Sequence, residues 1–304
     1  MNSSDNDYRR HGPAAWTQLL RVPNLLTVPG DPLAGFVLGC LAVGGASLSR
    51  AVAPAATGLL LYCAGLIQND LADLAEDRRN RPGRPLASGQ IRPLAAVAAL
   101  LACVILAAAA AISAGTASLL VAAVLLAAIS AYNFITKRIA VIGPLNMGLC
   151  RGMSLMLGAS ALGWDALAGP AVWIPACLLA FYVAGVTAIA AGETQRRSLR
   201  VLRWLPAVTM LTWASVLLVI LAFRAPSVVC LILAAGWTAS RSRSLAGRPE
   251  PEKVQRTVGE LLRGLLLVQA AIVVIVPWTG WFLGGFLLMC WPANALLARK
   301  FHAS

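Results

Sequence analysis

Long apolar stretches separated by short polar joins cover almost the whole chain. A helix that crosses a bilayer needs about 20 predominantly apolar residues, and ten stretches approach that length. They lie near residues 24–45, 52–72, 93–112, 116–136, 141–162, 171–192, 203–222, 225–240, 257–276 and 279–297. Glycine, proline and charged residues occupy the joins. The pattern predicts an all-α fold, a multi-pass transmembrane bundle of nine to ten helices.

The beginning of the chain lacks this pattern. Residues 1–20 are expected to form a polar N-terminal tail, and residues 21–304, which no long linker interrupts, a single transmembrane domain. Arg21 and Pro23 open the first apolar stretch, and no convincing cleavage site follows it. These features argue against a cleaved signal peptide.

The composition supports a membrane protein. Hydrophobic residues make up 59% of the chain and charged residues 12%, with a mean hydropathy of +0.76, whereas a soluble domain carries about 25% charged residues. A soluble enzyme and a disordered chain are therefore excluded. The seven cysteines are scattered without a Cys-x-x-Cys pair, and the two histidines, His11 and His302, lie near the termini. Neither residue type indicates a metal site.

Positive charge is distributed asymmetrically along the chain. The formal net charge is +13, and the cations of membrane proteins concentrate in cytoplasmic loops. If the N-terminus is cytoplasmic, the outer loops hold only Arg50 and Arg224, and most other cations fall in inner loops. We therefore expect an integral, multi-pass protein of a bacterial-type inner membrane with a cytoplasmic N-terminus. The asymmetry favours an even number of helices, and it explains the net charge without a nucleic-acid partner.

Three acids at the end of the second stretch are the clearest chemical signal. Asp70, Asp73 and Asp77 fall at i, i+3 and i+7, which places them on one face of a helix. Mg²⁺ binds carboxylate oxygens together with phosphate oxygens, and four arginines follow between Arg78 and Arg84. The pattern predicts a Mg²⁺–diphosphate site at the cytoplasmic mouth of the bundle. The alternative is a solvated helix end whose acids pair with those arginines.

These residues resemble the signature of the UbiA superfamily of intramembrane prenyltransferases. The family pattern Asn-Asp-x-x-Asp-x-x-x-Asp runs from Asn69 to Asp77, and an Arg-Pro-Leu-x-Ser-Gly loop runs from Arg84 to Gly89. Further matches extend the resemblance over the first two-thirds of the chain: Arg21-x-Pro23-Asn24, Tyr132 with Lys137-Arg138, and Gly143-Pro144-Leu145-Asn146. Residues 146–151, with the later Tyr182, Thr187 and Glu193-Thr194, are more similar to the EboC-like branch.

The resemblance implies helices around a central cavity, in which Mg²⁺ binds an isoprenyl diphosphate and the prenyl group moves to an acceptor. Asp70, Asp73 and Asp77 would hold the metal and, with Lys137, would be the catalytic residues. The substrate-binding residues would be Asn24, Asn69, Arg81, Arg84, Tyr132, Arg151 and Glu193. The acceptor is expected to be hydrophobic or amphipathic, and its identity and the prenyl chain length stay open.

The chain departs from the family pattern in its second acidic motif. That motif usually supplies two or more aspartates after the sixth helix, whereas Glu193 is the single acid within residues 192–197. A second metal is therefore an open question: either Glu193 holds one weakly, or Arg196 and Arg197 do part of its electrostatic work.

Two further ionisable residues lie within apolar stretches, which makes each a functional hypothesis. In one interpretation Asp31 faces the cavity, as a base on the acceptor side or as a group that stabilises the carbocation. In the other it has a structural role, and either caps a proline-broken helix or pairs with a nearby cationic side chain. Arg151, about two turns into the fifth stretch, either contacts diphosphate or an anionic acceptor, or it is the buried partner of an acid.

The resulting hypothesis is an intramembrane Mg²⁺-dependent prenyltransferase. One alternative is a terpene cyclase of the same fold, which ionises the diphosphate without an acceptor. Another is a non-catalytic prenyl-lipid-binding protein that lost the second motif. A transporter is the third alternative; it would place ionisable groups near the midplane on broken helices.

Overall fold

The computed structural model describes residues 12–191, 198–222, 224–276 and 279–301, and within them the chain forms helices and no strands. The helices are α1 (12–19), α2 (Val22–Leu25), α3 (Gly30–Val43), α4 (Val52–Ala72), α5 (Leu74–Asn80), α6 (Pro93–Ala114), α7 (Thr116–Phe134), α8 (Ile142–Ser160), α9 (Trp164–Ala168), α10 (Pro170–Ala190), α11 (Leu205–Ile220), α12 (Ala225–Ser244), α13 (Pro251–Arg263), α14 (Leu265–Val273) and α15 (Thr279–Phe301). The all-α prediction is confirmed.

Five helical segments of the described chain are long and apolar enough to cross a membrane. They are Leu48–Ala72, Pro93–Ala114, Thr116–Phe134, Pro170–Ala190 and Leu202–Ile220. A shorter apolar helix, Gly30–Val43, accompanies them. Each of the ten apolar stretches read from the sequence contains helix in the described residues.

Two of the predicted stretches are not single straight helices. The first divides into α2 and α3. Pro29 is the last residue before α3 and Pro32 lies in its first turn, and a prolyl residue lacks the N–H that would continue the backbone ladder of a preceding helix. The ninth is interrupted at Gly264, where α13 ends and the buried α14 begins. The Cβ position of Gly264 lies 3.2 Å from the Trp237 ring, so glycine permits this close approach.

The last part of the predicted polar tail is ordered. Residues 12–19 are helical, and Ala15 and Leu19 are buried in a cluster with Leu86 and Ile91 of the arginine loop that follows α5. This helix therefore supports the loop from one side. The division of the chain into a tail and a single domain stays a prediction.

Helix α8 lies at the centre of the bundle and packs against α3, α7 and α10. Glycines allow its backbone to approach its neighbours closely, as small residues do in transmembrane bundles. A Cβ on Gly158 would overlap the carbonyl oxygen of Pro32, one on Gly35 that of Leu155, and one on Gly148 that of Ala180. The close contact of α3 with α8 brings Asp31 and Arg151 within reach of each other.

We expect Gly158→Ala to destabilise the bundle, because the new methyl group meets backbone atoms that cannot move aside. Overpacking of this kind costs about 1–3 kcal/mol. The matched control is Gly236→Ala in α12, where a Cβ has open space around it and alanine favours a helix by about 1 kcal/mol over glycine. Thermal unfolding in detergent should show a lower midpoint for Gly158→Ala alone. Equal midpoints for the two variants would contradict the close packing of α3 on α8.

Candidate active site

A cavity of about 170 Å³ lies between α4, α7 and α8. Most of its wall is apolar, from residues such as Leu66, Leu125 and Ile129. Polar residues enter it at separate places: Arg21 and Asn69 lie near the end of α4 that carries the acids, and Arg151 lies on α8. The cavity thus combines an apolar wall with a few charged or polar groups.

The acid motif lies where α4 ends. Helix α4 stops at Ala72, and Asp73 takes φ −93° and ψ 0° before α5 begins at Leu74. The spacing had predicted that the three carboxylates lie on one continuous helix. In the structure that helix is interrupted at Asp73. Asp70 and Asp77 are buried, with 6% and 5% exposure, and share a neighbour in Arg84, whereas Asp73 turns to Lys137.

Arg84 reaches two of the acids from the loop that follows α5. Its Nη1 donates to Asp77 Oδ2 at 2.7 Å and lies 3.8 Å from Asp70 Oδ1. Backbone hydrogen bonds shape this loop: the amide of Ser88 donates to the carbonyl of Arg84, and that of Ile91 to the carbonyl of Pro85. Burial of the apolar side chains of the loop fixes the position of Arg84.

Lys137 is the second cation of the site. It lies in a short 3₁₀ turn, Thr136–Arg138, that follows α7. Its ammonium donates to Asp73 Oδ1 at 2.6 Å and to Asn69 Oδ1 at 3.2 Å. Lys137 therefore connects the end of α7 to the end of α4.

Arg21 is the third cation, and the sequence reading did not place it among the site residues. Its Nη2 lies 3.9 Å from Asp70 Oδ1, and the residue lines the cavity. Its backbone is left-handed, with φ 47°, a conformation that costs about 1–3 kcal/mol for a residue other than glycine. The signal in the sequence was its position at the start of the Arg21-x-Pro23-Asn24 match.

The negative and positive charges of this cluster are equal in number. Three acids (−3) face Arg21, Arg84 and Lys137 (+3). Within the described residues, no three His, Cys, Asp or Glu side chains are arranged closely enough to hold a metal ion together. The donor set itself is suited to Mg²⁺, because it consists of carboxylate and amide oxygens, the hard ligands that this ion prefers. The residues therefore fit the predicted ion by chemistry.

The other predicted substrate-binding residues lie at different places. Tyr132 lines the cavity, whereas Arg81 is exposed at the end of α5 and forms no ion pair with a described residue. Asn24 belongs to α2, but its side chain lies outside the described part of the structure, and so does all of Glu193. The roles proposed for these residues stay predictions.

Arg151 is paired with the other acid that the apolar stretches contain. Its Nε lies 2.8 Å from Asp31 Oδ2, and Asp31 is 1% exposed. Gln269 of α14 donates from Nε2 to Asp31 Oδ1 at 2.7 Å and to the carbonyl of Thr27 at 2.9 Å. The structure thus makes Asp31 and Arg151 partners, one of the two possibilities stated for each. Gln269 was missed, and its signal was a lone amide within an apolar run.

Comparison with known proteins identifies the fold. The model of the UbiA prenyltransferase family matches residues 33–266. No curated protein matches the chain. A UbiA homologue from Aeropyrum pernix K1 is 22% identical, with a TM-score of 0.63 over 82% of this chain and 97% of that chain. A UbiA homologue from Archaeoglobus fulgidus is 20% identical, with a TM-score of 0.63 over 91% and 99%.

Another structure of an Archaeoglobus fulgidus UbiA homologue is described as bound to GPP and Mg²⁺. It is 18% identical, with a TM-score of 0.54 over 85% of this chain and 99% of that chain. At these identities the solved structures establish the fold alone. The EboC-like branch stays a prediction. Because the family model covers most of the chain, this protein belongs to the UbiA prenyltransferase family.

Proposed function

We propose that this protein ionises an isoprenyl diphosphate in a Mg²⁺-dependent reaction within the membrane and transfers the prenyl group to a small or lipid acceptor. The observation that carries the proposal is the cluster of three carboxylates and three cations beside an apolar cavity. Family membership supports a prenyltransferase as the general activity.

The proposed ligands of the metal are Asp70, Asp73 and Asp77. Solved UbiA homologues from Archaeoglobus fulgidus are described as bound to GPP and Mg²⁺ and to DMAPP and Mg²⁺, which supports the same ion and substrate class here. When bound, Mg²⁺ would supply charge neutralisation for the diphosphate leaving group. Whether Glu193 supports a second ion stays a prediction, because that residue lies outside the described part of the chain.

The protein's own cations would bind the diphosphate oxygens. Arg84 and Lys137 are held by Asp77 and Asp73 at 2.7 and 2.6 Å, so their positions are set before substrate arrives. Preorganised cations stabilise the negative charge that grows on the leaving group as the C–O bond breaks. We add Arg21 to this set, and we retain Asn24, Asn69 and Arg81 as further contacts to the diphosphate.

The apolar wall would hold the prenyl chain. Leu66, Leu125 and Ile129 line the cavity next to the charged cluster. A dry apolar environment strengthens electrostatic interactions and keeps water from an allylic cation. The allylic carbon would therefore react with the acceptor rather than with water.

We expect the purified protein in nanodiscs, supplied with a lipid extract as the source of acceptor, to release diphosphate from a panel of isoprenyl diphosphates in a Mg²⁺-dependent reaction that EDTA abolishes. Asp73→Asn and Lys137→Met should each lower the rate by about 100-fold, the typical effect of removing one group that stabilises developing charge. Product mass then separates transfer from cyclisation.

The matched control for this assay is Glu76→Gln. Glu76 lies in the same segment, but it and its partner Arg138 are both mostly exposed, at 60% and 70%, and exposed pairs contribute little. Its rate should stay at the wild-type value. Wild-type rates in Asp73→Asn would refute the assignment of that residue. Tight binding without release, with a lipid extract added, would favour a lipid-binding protein, and neither binding nor release would favour a transporter.

The orientation of the protein in the membrane can be tested separately. We expect the charged cluster and the N-terminus to be cytoplasmic, since cations concentrate at that end. In a variant without the seven native cysteines, Ser88→Cys, in the arginine loop, should react with a membrane-impermeant maleimide only in inverted vesicles. Ser47→Cys, which lies beyond the opposite end of α4, should react in intact cells; both serines are exposed. The reverse pattern would contradict the orientation.

A further inference from the structure

The buried cluster of Asp31, Arg151 and Gln269 lies apart from the ion pairs of the acid motif. Its members come from α3, α8 and α14 and are joined by contacts of 2.7 and 2.8 Å. In the described part of the chain none of the three forms an ion pair or hydrogen bond with Asp70, Asp73 or Asp77. The cluster therefore needs an explanation of its own.

This cluster lies deep in the bundle and borders the same cavity. Arg151 is nine residues beyond Ile142, the first residue of α8 (151 − 142 = 9), which corresponds to about 14 Å along the helix axis. Its side chain is 13% exposed, and it lines the cavity together with Ser154, one turn further along α8. Ionisable groups at such depth are costly and are functional hypotheses by default.

The guanidinium of Arg151 has few hydrogen-bond partners within the described part of the protein. It has five N–H donors, and its one charged partner among the described residues is Asp31. Nε and Nη2 are both buried, and neither donates a hydrogen bond within the described chain beyond that ion pair. A buried pair is often no more stabilising than apolar side chains of similar volume. Stability alone therefore does not explain why this arginine borders the cavity.

We propose that Arg151, positioned by Asp31 and Gln269, binds the oxygen of a neutral, hydroxyl-bearing prenyl acceptor. This inference rests on the proposed function, because it assigns the inner part of the same cavity to the acceptor. The guanidinium supplies donors to an oxygen lone pair, and the apolar wall accommodates the rest of the molecule.

The charge of the cluster selects a neutral group over an anion. Asp31 already neutralises Arg151 at 2.8 Å, so a carboxylate that entered would leave the inner cavity with a net charge of −1 in an apolar environment, which is unfavourable. It would also be repelled by the carboxylate of Asp31. A hydroxyl group brings no net charge, and its oxygen can accept a hydrogen bond from Nη1, the guanidinium nitrogen that is not fully buried. The diphosphate, in contrast, would bind at the acid motif together with Mg²⁺, whose positive charge offsets the negative charge of the phosphate oxygens.

The test uses three probes of one shape: benzyl alcohol, benzoate and toluene. Their dissociation constants for the full chain in nanodiscs are measured by titration calorimetry at neutral pH, with empty nanodiscs subtracted and no diphosphate present. We expect benzyl alcohol to bind about tenfold more tightly than toluene and benzoate, as one hydrogen bond to a charged donor would give.

Two variants connect this preference to the cluster. Arg151→Met should abolish the preference for the alcohol. Because it leaves Asp31 unpaired and could impair folding, the double variant Asp31→Asn with Arg151→Met removes both charges and should give the same loss. Cys150→Ala is the matched control, since it alters the neighbouring residue of the same cavity wall and leaves the ion pair intact; the preference should persist.

Each other outcome overturns the inference. A wild-type protein that shows no preference, or that binds benzoate most tightly, excludes a site for neutral acceptors. A preference for benzyl alcohol that survives in the folded double variant would show that the ion pair has only a structural role. Diphosphate release is measured on the same preparations without probes and with the lipid extract as acceptor source, so the proposed reaction can stand while the acceptor inference fails, or the reverse.

Discussion

The pairing of every buried carboxylate with a cation is the constraint on which the site depends. A lone buried charge is expensive, so Asp31, Asp70 and Asp77 each require a partner from another part of the chain, and the half-buried Asp73 has one as well. Those partners are supplied by α8, by the loop after α5, by the turn after α7 and by the start of the bundle. Neutralising the acids therefore also joins the ends of the helices around one cavity.

Close helix packing is what makes this pairing geometrically possible. Gly35, Gly148 and Gly158 let α8 contact α3 and α10 at backbone distance, and the buried Leu86 and Ile91 hold the arginine loop against α1 and α4. The cavity consequently has charged groups of two kinds. A cluster of three acids and three cations lies at the end of α4, and a single ion pair lies further in, an arrangement consistent with the proposed diphosphate and acceptor.

The main differences between the predictions and the structure have local causes. The spacing of the acids assumed an unbroken helix, but the chain turns at Asp73, and this turn directs that carboxylate to Lys137. The ninth stretch was expected to be one helix, but it is interrupted at Gly264, where Trp237 lies close. Arg21 was read as part of a motif, and its backbone conformation makes it a neighbour of Asp70. Such details depend on contacts that hydrophobicity does not encode.

The sequence by itself determined the helical membrane fold, the end of the bundle that carries the acids, and the residue types suited to Mg²⁺ and diphosphate. These follow from local properties: the length of apolar runs, the spacing of carboxylates and the bias of cations. Only the tertiary structure decided which cation pairs with which acid, that Gln269 supports Asp31, and that Arg151 borders the cavity. The reason is physical, because the partners lie between 7 and 238 residues apart and meet only when the helices pack.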